Sequence, residues 1–168
     1  MSITIRSEAP SDVATIESLT AAAFLGAPHT SHTEQFIVKE LRSAGQLAIS
    51  LVAADDGVIV GHLAVSPVSI SDGSEGWYGL GPISVAPERQ RQGIGGRLMV
   101  QTLAALRRME ACGCVVLGDP DFYARFGFKP EAALVLPNGP QEYFQALTLL
   151  GPVPSGMVSY HEAFFALG

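Results

Sequence analysis

The sequence predicts an α/β (α+β) fold in which a single-layer mixed sheet carries helices on both faces. Three observations lead there. The hydrophobic pattern gives the element order β, α, α, β, β, β, α, β, α, β, β. A long amphipathic helix joins two apolar strands, and two strands of one sheet joined through a helix must run parallel. The chain has 168 residues, 48% of them hydrophobic, enough for one domain spanning residues 1–168 with a normal core.

The elements follow in order. Ile3 and Ile5 alternate with Thr4 and Arg6 in a first short strand. Pro10, Ser11 and Asp12 open a helix whose buried side is Val13, Ile16, Ala23 and Phe24. Gly26 to Thr30 is a turn. Ser31 and Glu34 have capping-box spacing and begin a second helix, with Phe36, Ile37 and Leu41 facing inward and Gly45 after its end. Leu47 to Ala54 is a strand. Asp55-Asp56-Gly57 is a hairpin turn, from which Val58 to Val65 returns. Pro67 interrupts this arm, and Val68 to Ser71 extends it to a turn at Asp72-Gly73. Trp77 to Val85 is the next strand, and the helix from Gly93 to about Glu110 follows it. Cys114 to Leu117 is a buried-type strand ended by Gly118-Asp119-Pro120, and Asp121 to Arg125 is a short helix. Gly127 to Pro130 turns toward a further strand, Pro137 to Gln141 is a loop, and Phe144 to Leu149 and Met157 to Tyr160 are the last strands.

Composition removes several function classes. The net charge is −6 and the isoelectric point about 5.1, which disfavours a nucleic-acid partner wanting a broad basic face. No apolar run approaches 18 residues, so no membrane span is expected. The N-terminus MSITIRSEAPSD has no basic region followed by an apolar core, so no secretory signal is read. Cys112 and Cys114 are too few for a zinc site and poorly spaced for a disulfide. Reduced thiols in a cytoplasmic protein, with no metal, are the expectation.

Against that acidic background one stretch stands apart. Residues 89 to 109 contain Arg89, Arg91, Arg97, Arg107 and Arg108 and no Asp or Glu, half of the 10 Lys+Arg in the chain. Within it, Gln90, Gly93 and Gly95, with Gly96 beside them, lie between the strand Ile83-Ser84-Val85 and a helix. The first N–H groups of a helix lack intrahelical partners and sit at the positive end of its dipole. Glycines there let a phosphate approach the backbone, and arginines hold it with planar donors. The stretch therefore reads as an anion site; structural turn glycines are the alternative. A dinucleotide-binding oxidoreductase fits less well. Its fingerprint places glycine directly after the strand, whereas Ala86 to Gln92 intervene and Leu98 fills the third glycine slot.

Gln90-Arg91-Gln92-Gly93-Ile94-Gly95 resembles the Gln/Arg-x-x-Gly-x-Gly/Ala signature of the GNAT superfamily of acetyl-CoA-dependent N-acetyltransferases. Phe122-Tyr123-Ala124-Arg125-Phe126-Gly127-Phe128 resembles its second motif, aromatic-Tyr-x-x-x-Gly-Phe. Both motifs lie within about Gly79 to Pro130, and the element order matches along the chain. The LGPISV and GDPDFYARFGF segments resemble a bacterial branch of predicted N-acetyltransferases.

The resemblance implies an acyl-CoA N-acyltransferase fold, with a mostly antiparallel central sheet splayed at two parallel central strands. It implies acetyl-CoA as cosubstrate and a small-molecule or peptide amine as acceptor, with a homodimer possible. Ile83, Ser84 and Val85 would offer backbone groups to the pantetheine arm. Arg91, Gln92, Gly93, Gly95 and Gly96 would hold the pyrophosphate. Tyr123 would protonate the leaving thiolate. Many members carry Asn seven residues before this Tyr; here the position is Val116.

The residues themselves suit that chemistry. A tyrosine with an ordinary pKa near 10 is protonated at neutral pH and can donate to a thiolate. Packing between Phe122 and Phe126 is the alternative role for Tyr123. For the general base His29, His32, Glu34, His62 and a water chain all remain open. Phe24, Trp77 and Tyr143 suit an apolar or aromatic acceptor but suit the core equally. An acyl-CoA-binding or sensory module without turnover is the competing non-enzymatic reading. The strand at Ile83–Val85 and the strand at Cys114–Leu117 are expected to be parallel neighbours that separate at their C-terminal ends, with Pro87 and Gly118-Asp119-Pro120 ending the pairing.

Overall fold

The computed structural model describes residues 2–26 and 32–165. Six strands form the main sheet in the order β1-β2-β3-β5-β6-β8. They are β1 (Ile3–Ser7), β2 (Ile49–Asp55), β3 (Val58–Pro67), β5 (Trp77–Val85), β6 (Gly113–Leu117) and β8 (Phe144–Thr148). Every neighbouring pair is antiparallel except β5 and β6. The helix between those two, α3 (Ile94–Arg108), is the parallel crossover that the sequence requires.

Side-chain alternation assigns the two faces. Leu51, Ala53, Leu63 and Val65 pack with Leu98, Met99 and Leu106 of α3. Val52 and Ala64 point the other way, onto Ile16 of α1 (Val13–Leu25) and Val38 of α2 (Glu34–Ser43). The β2–β3 turn has Asp56 at φ +49° and Gly57 at φ +86°, two left-handed residues that match the twist of the flanking strands.

Three local expectations change, and one open alternative, the role of Trp77, resolves to the core. Pro67 does not interrupt β3 but is its last residue; a proline is tolerated at a strand end because only one ladder N–H is lost. The arm beyond it leaves the main sheet. β4 (Ser69–Ile70) joins β9 (Gly156–Ser159) and β7 (Leu134–Val135) in a small second sheet. The second helix begins at Glu34 after Thr33, with no side-chain cap from Thr33, so Glu34 is its first residue rather than the third of a capping box; Ser31 lies outside the described residues. Trp77 is a core residue, 2% exposed against Phe144 and Val158, and does not line an acceptor pocket.

Cys112 and Cys114 are both free thiols. Among the described residues no His, Cys, Asp and Glu group could hold a metal, and no helix is long and apolar enough to cross a membrane.

Candidate active site

β5 changes partners half-way along its length. Trp77 to Leu80 pair with Gly113 to Val116 of β6, and the pairing stops there. The separation thus begins ahead of Gly81-Pro82, not at Pro87 as the sequence reading has it. Proline lacks the N–H that a ladder needs. The same two residues make a bulge against β3, where the register passes from Val65↔Leu80 to Leu63↔Ile83. A bulge bends its strand. Beyond it, Ile83 to Val85 remain paired with β3 while Leu117 of β6 remains paired with Phe144 of β8. Two strands continue side by side without bonding each other.

Register decides what lines this opening. The Ala86 N–H donates to the Val60 carbonyl at 2.9 Å, so by antiparallel alternation Ser84 exchanges bonds with His62. Ile83 and Val85 then turn their N–H and C=O groups away from β3, toward the side that β6 has left. The Gln90 side-chain amide donates to the Val85 carbonyl at 3.2 Å.

The start of α3 lies beside the opening. Gly93 is its N-cap at φ +83°, and no side chain caps the helix. Arg91 also holds a left-handed φ, +65°, so the turn places its backbone where L side chains are uncommon. A Cβ built on Gly95 would lie 3.7 Å from Phe122, 3.9 Å from Ile83 and 4.0 Å from Val85, ordinary contact. One on Gly96 would stand 3.7 Å from Phe126 and 3.9 Å from the Arg125 guanidinium. Protein packing therefore does not demand glycine at either place. A groove of about 420 Å³ runs along this end of α3, lined by Gly93, Gly96, Arg97, Gln101, Arg125 and Phe126 among others.

The five arginines do not form one patch. Arg89 pairs with Asp55 at 2.8 Å and donates to the Gln92 side chain at 3.0 Å. Arg97 donates to the Ile3 carbonyl at 2.9 Å, tying α3 to β1. Arg107 and Arg108 occupy the last turn of α3, about 20 Å from its start at 1.5 Å per residue. Only Arg91, exposed in the turn, is left at the helix start. Arg125 joins it from α4 (Pro120–Ala124) and the residue that follows, its guanidinium 4.9 Å from the Phe122 ring centroid and 5.5 Å from that of Phe126. Sequence reading passed over Arg125 because it lies 29 positions after Gly96; its place inside the aromatic motif was the available signal.

Tyr123 stands at the end of β6. Asp119 caps α4 by accepting from the Asp121 N–H at 3.0 Å. A Cβ on Gly118 would sit 2.6 Å from the Tyr123 ring, so glycine is needed there to let the ring lie across the strand end. Phe122 and Phe128 hold the ring edge-on at 5.0 and 5.9 Å between centroids. The residue is 6% exposed, and its hydroxyl makes no hydrogen bond among the described residues. Burial pushes its pKa up to about 12, with Cys114 and Asp119 adding to the effect, so the phenol keeps its proton at neutral pH.

The base candidates are scattered. His29 lies outside the described residues. His32 is exposed before α2, and Glu34 is that helix's first residue. His62 is fully buried on β3. Its Nε2 is 2.8 Å from the Ser50 hydroxyl, and Ser50 donates to Glu8, which Arg42 grips through two bonds of 2.8 and 2.9 Å. Burial drives the His62 pKa down to about 4, with Glu8 opposing and Arg42 adding to the fall.

Comparison with known proteins agrees with this geometry. Residues 46–130 match the family model of the acetyltransferase (GNAT) domain. The chain is similar to the uncharacterized N-acetyltransferase YhbS of Escherichia coli K12, 34% identical over 95% of this chain and 97% of YhbS. The crystal structure of Escherichia coli YhbS in complex with CoA superposes with a TM-score of 0.89, at 33% identity over 99% of this chain and 93% of that one. A GNAT family acetyltransferase from Brucella melitensis, crystallised with acetyl-CoA, is 47% identical over 97% of this chain and 98% of its own, with a TM-score of 0.87. A family model over half of the chain and full-length relatives at this identity lead to one conclusion: the chain belongs to the GNAT family of acetyltransferases.

Proposed function

We propose that this protein moves the acetyl group of acetyl-CoA onto a primary amine by direct attack, with Tyr123 as general acid. Residues 1–168 act as a single acetyltransferase domain, in the cytoplasm, on a small-molecule or peptide amine. The observation that carries the reading is the parting of β5 from β6 beside the uncapped start of α3.

The pantetheine arm lies along Ile83, Ser84 and Val85 like an added strand, taking the backbone groups of Ile83 and Val85 that β6 does not use. The pyrophosphate rests on the N–H groups of the Arg91–Gly96 turn, with Arg91, Gln92, Gly93, Gly95 and Gly96 around it and Arg125 at its side. The open space over Gly93, where a Cβ would meet nothing within 4 Å, supports this reading. The bound Brucella melitensis and Escherichia coli relatives support acetyl-CoA as the cosubstrate. The amine attacks the thioester carbonyl, the carbon–sulfur bond breaks, and Tyr123 protonates the sulfur. Val116, in place of the Asn of many members, contributes only packing, so Phe122, Phe128 and Gly118 set the ring.

The test is thiol release from acetyl-CoA in the presence of small amines, amino acids, polyamines and peptides with free N-termini. The expected result is thiol release with at least one class. Tight acetyl-CoA binding with no thiol released from any of them would instead support an acyl-CoA-binding module.

A further inference from the structure

The face of the sheet under α1 carries polar atoms that the fold leaves unpaired. His62 Nδ1 and Ser84 Oγ are both buried without a hydrogen-bond partner, an unfavourable state for a polar atom. They are cross-strand neighbours, since His62 of β3 is paired with Ser84 of β5. Alternation puts both side chains on the α1 face, while Ile83 and Val85 point to the α3 face beside Gly95.

The chemistry of the chain behind His62 determines its protonation. Burial raises the Glu8 pKa, but the bonds from Arg42 and Ser50 outweigh it and keep the carboxyl ionised. An ionised carboxylate only accepts, so Ser50 must donate to it. The Ser50 oxygen then accepts from His62 Nε2–H. This assigns the Nε2–H tautomer, with Nδ1 bare and the ring fixed, the logic by which a carboxylate orients a histidine in a hydrolase triad. Other charged groups do not reverse it. Among the described residues, Arg42 from α2, with Glu17 of α1 close to it, is the remaining charge around this chain, and α1 otherwise presents Ile16 and Thr20, whose hydroxyl is bonded to the Ile16 carbonyl at 2.8 Å.

We infer that Glu8, Ser50 and His62 form an orienting relay that holds Nδ1 ready, through Ser84, for the proton lost by the attacking amine. The inference rests on the acetyl-transfer reading above. With the phosphates on the α3 side, the amine meets the opening from the α1 face, where Ser84 lies between the two backbone units that line it. An ammonium substrate gives up two protons as its nitrogen bonds the acetyl carbon and the carbon–sulfur bond breaks. One replaces the proton that Tyr123 gives to the sulfur. The other passes to His62 Nδ1 by way of the Ser84 hydroxyl, which is buried and not bonded to Nδ1 and has to turn to bridge amine and imidazole. His62 reaches the amine only through Ser84, so it is a positioning residue.

The test uses the full chain, acetyl-CoA and whichever of spermidine, lysine, phenethylamine or an N-terminal peptide releases thiol. His62→Gln removes the acceptor nitrogen, and Ser50→Ala removes the group that fixes the tautomer. Both are expected to keep acetyl-CoA affinity. Turnover at pH 7 should fall about 10²-fold and about 10-fold respectively, within the scale of general acid–base effects. The deficit should shrink toward pH 9, where more of the amine is already unprotonated.

Wild-type turnover and pH profile in both variants overturn the relay and leave acetyl transfer standing. A deficit equal at every pH, with a lowered melting temperature, overturns it as a purely structural effect. Should neither variant fold, imidazole ¹⁵N NMR of the wild-type protein decides: a proton on Nε2 supports the relay and a proton on Nδ1 overturns it. No thiol release with any amine overturns acetyl transfer itself, and the relay with it.

Discussion

The two halves of β5 do different work within one strand. Trp77 to Leu80 are bonded on both sides, to β3 and to β6. Their side chains close the core: Trp77 and Leu80 are buried, and the ring of Tyr160 covers Gly79. Ile83 to Val85 are bonded on one side only; the half-buried side chains of Ile83 and Val85 face the start of α3, and Ser84 between them is buried on the α1 face. The difference begins at Gly81-Pro82, where a missing N–H and a bulge end one partnership without ending the other. A sheet can thus convert part of a central strand into an internal edge, the feature most sheets avoid, and keep it unpaired for a ligand to complete.

The largest effect expected from this contrast concerns Tyr123, which stands where the halves diverge. Tyr123→Phe keeps the ring between Phe122 and Phe128 and removes the donor. Folding and acetyl-CoA affinity should be unchanged, while turnover falls by roughly 10²–10⁴-fold. A stopped-flow or steady-state thiol assay checks this; wild-type turnover under rate-limiting chemistry would reduce Tyr123 to packing.

Next comes pH. His62, opposite the open half, has a folded pKa of about 4 against about 6.5 when unfolded. Between those values the unfolded chain binds more protons, so stability is lost as pH falls through that window and is unaffected above it. The loss is on the order of 3 kcal/mol. Denaturant titrations of wild type and His62→Gln at pH 7 and pH 4.5 measure it, and the variant should lose less.

Two glycines then separate the halves. A Cβ on Gly113, opposite Trp77, would collide with the indole ring, so Gly113→Ala should destabilise the fold by about 1–3 kcal/mol. Gly95 has room for a methyl group. Gly95→Ala should keep the melting temperature within a few degrees and weaken acetyl-CoA binding by roughly 10-fold or more, because a Cβ between Phe122, Ile83 and Val85 narrows the approach of a ligand to the backbone of the helix start. Calorimetry of both variants tests the assignment; equal effects on folding and binding in the two would erase the distinction. The smallest effect belongs to the arginines: Arg125→Ala should weaken acetyl-CoA several-fold, and Arg108→Ala, at the far end of α3, should leave it unchanged.

How far the sequence reveals this contrast depends on the range of the interactions. The bounds of β5, the Asp56-Gly57 hairpin and the Gly93 helix start are legible because each is written in neighbouring residues. The parallel pairing follows from the intervening helix. The second sheet is not legible: β4 and β7 have two residues each, too few to show a period. The unity of the five arginines fails for a related reason. Nearness in sequence along a 15-residue helix is not nearness in space, and Arg89 and Arg97 are claimed by Asp55 and Ile3. Arg125 and the Glu8–Ser50–His62 chain depend on contacts between distant segments, which no local pattern encodes.

Amide hydrogen exchange of Ile83 and Val85, with and without acetyl-CoA, tests the central claim most directly. Their N–H groups face the opening, whereas that of Ser84 is committed to His62 by the ladder. Saturating acetyl-CoA should slow exchange at Ile83 and Val85 by roughly 10-fold or more, with Ser84 and residues 77–80 changing far less. Ligand binding proven by calorimetry with no added protection at Ile83 or Val85 would show that the pantetheine arm lies elsewhere.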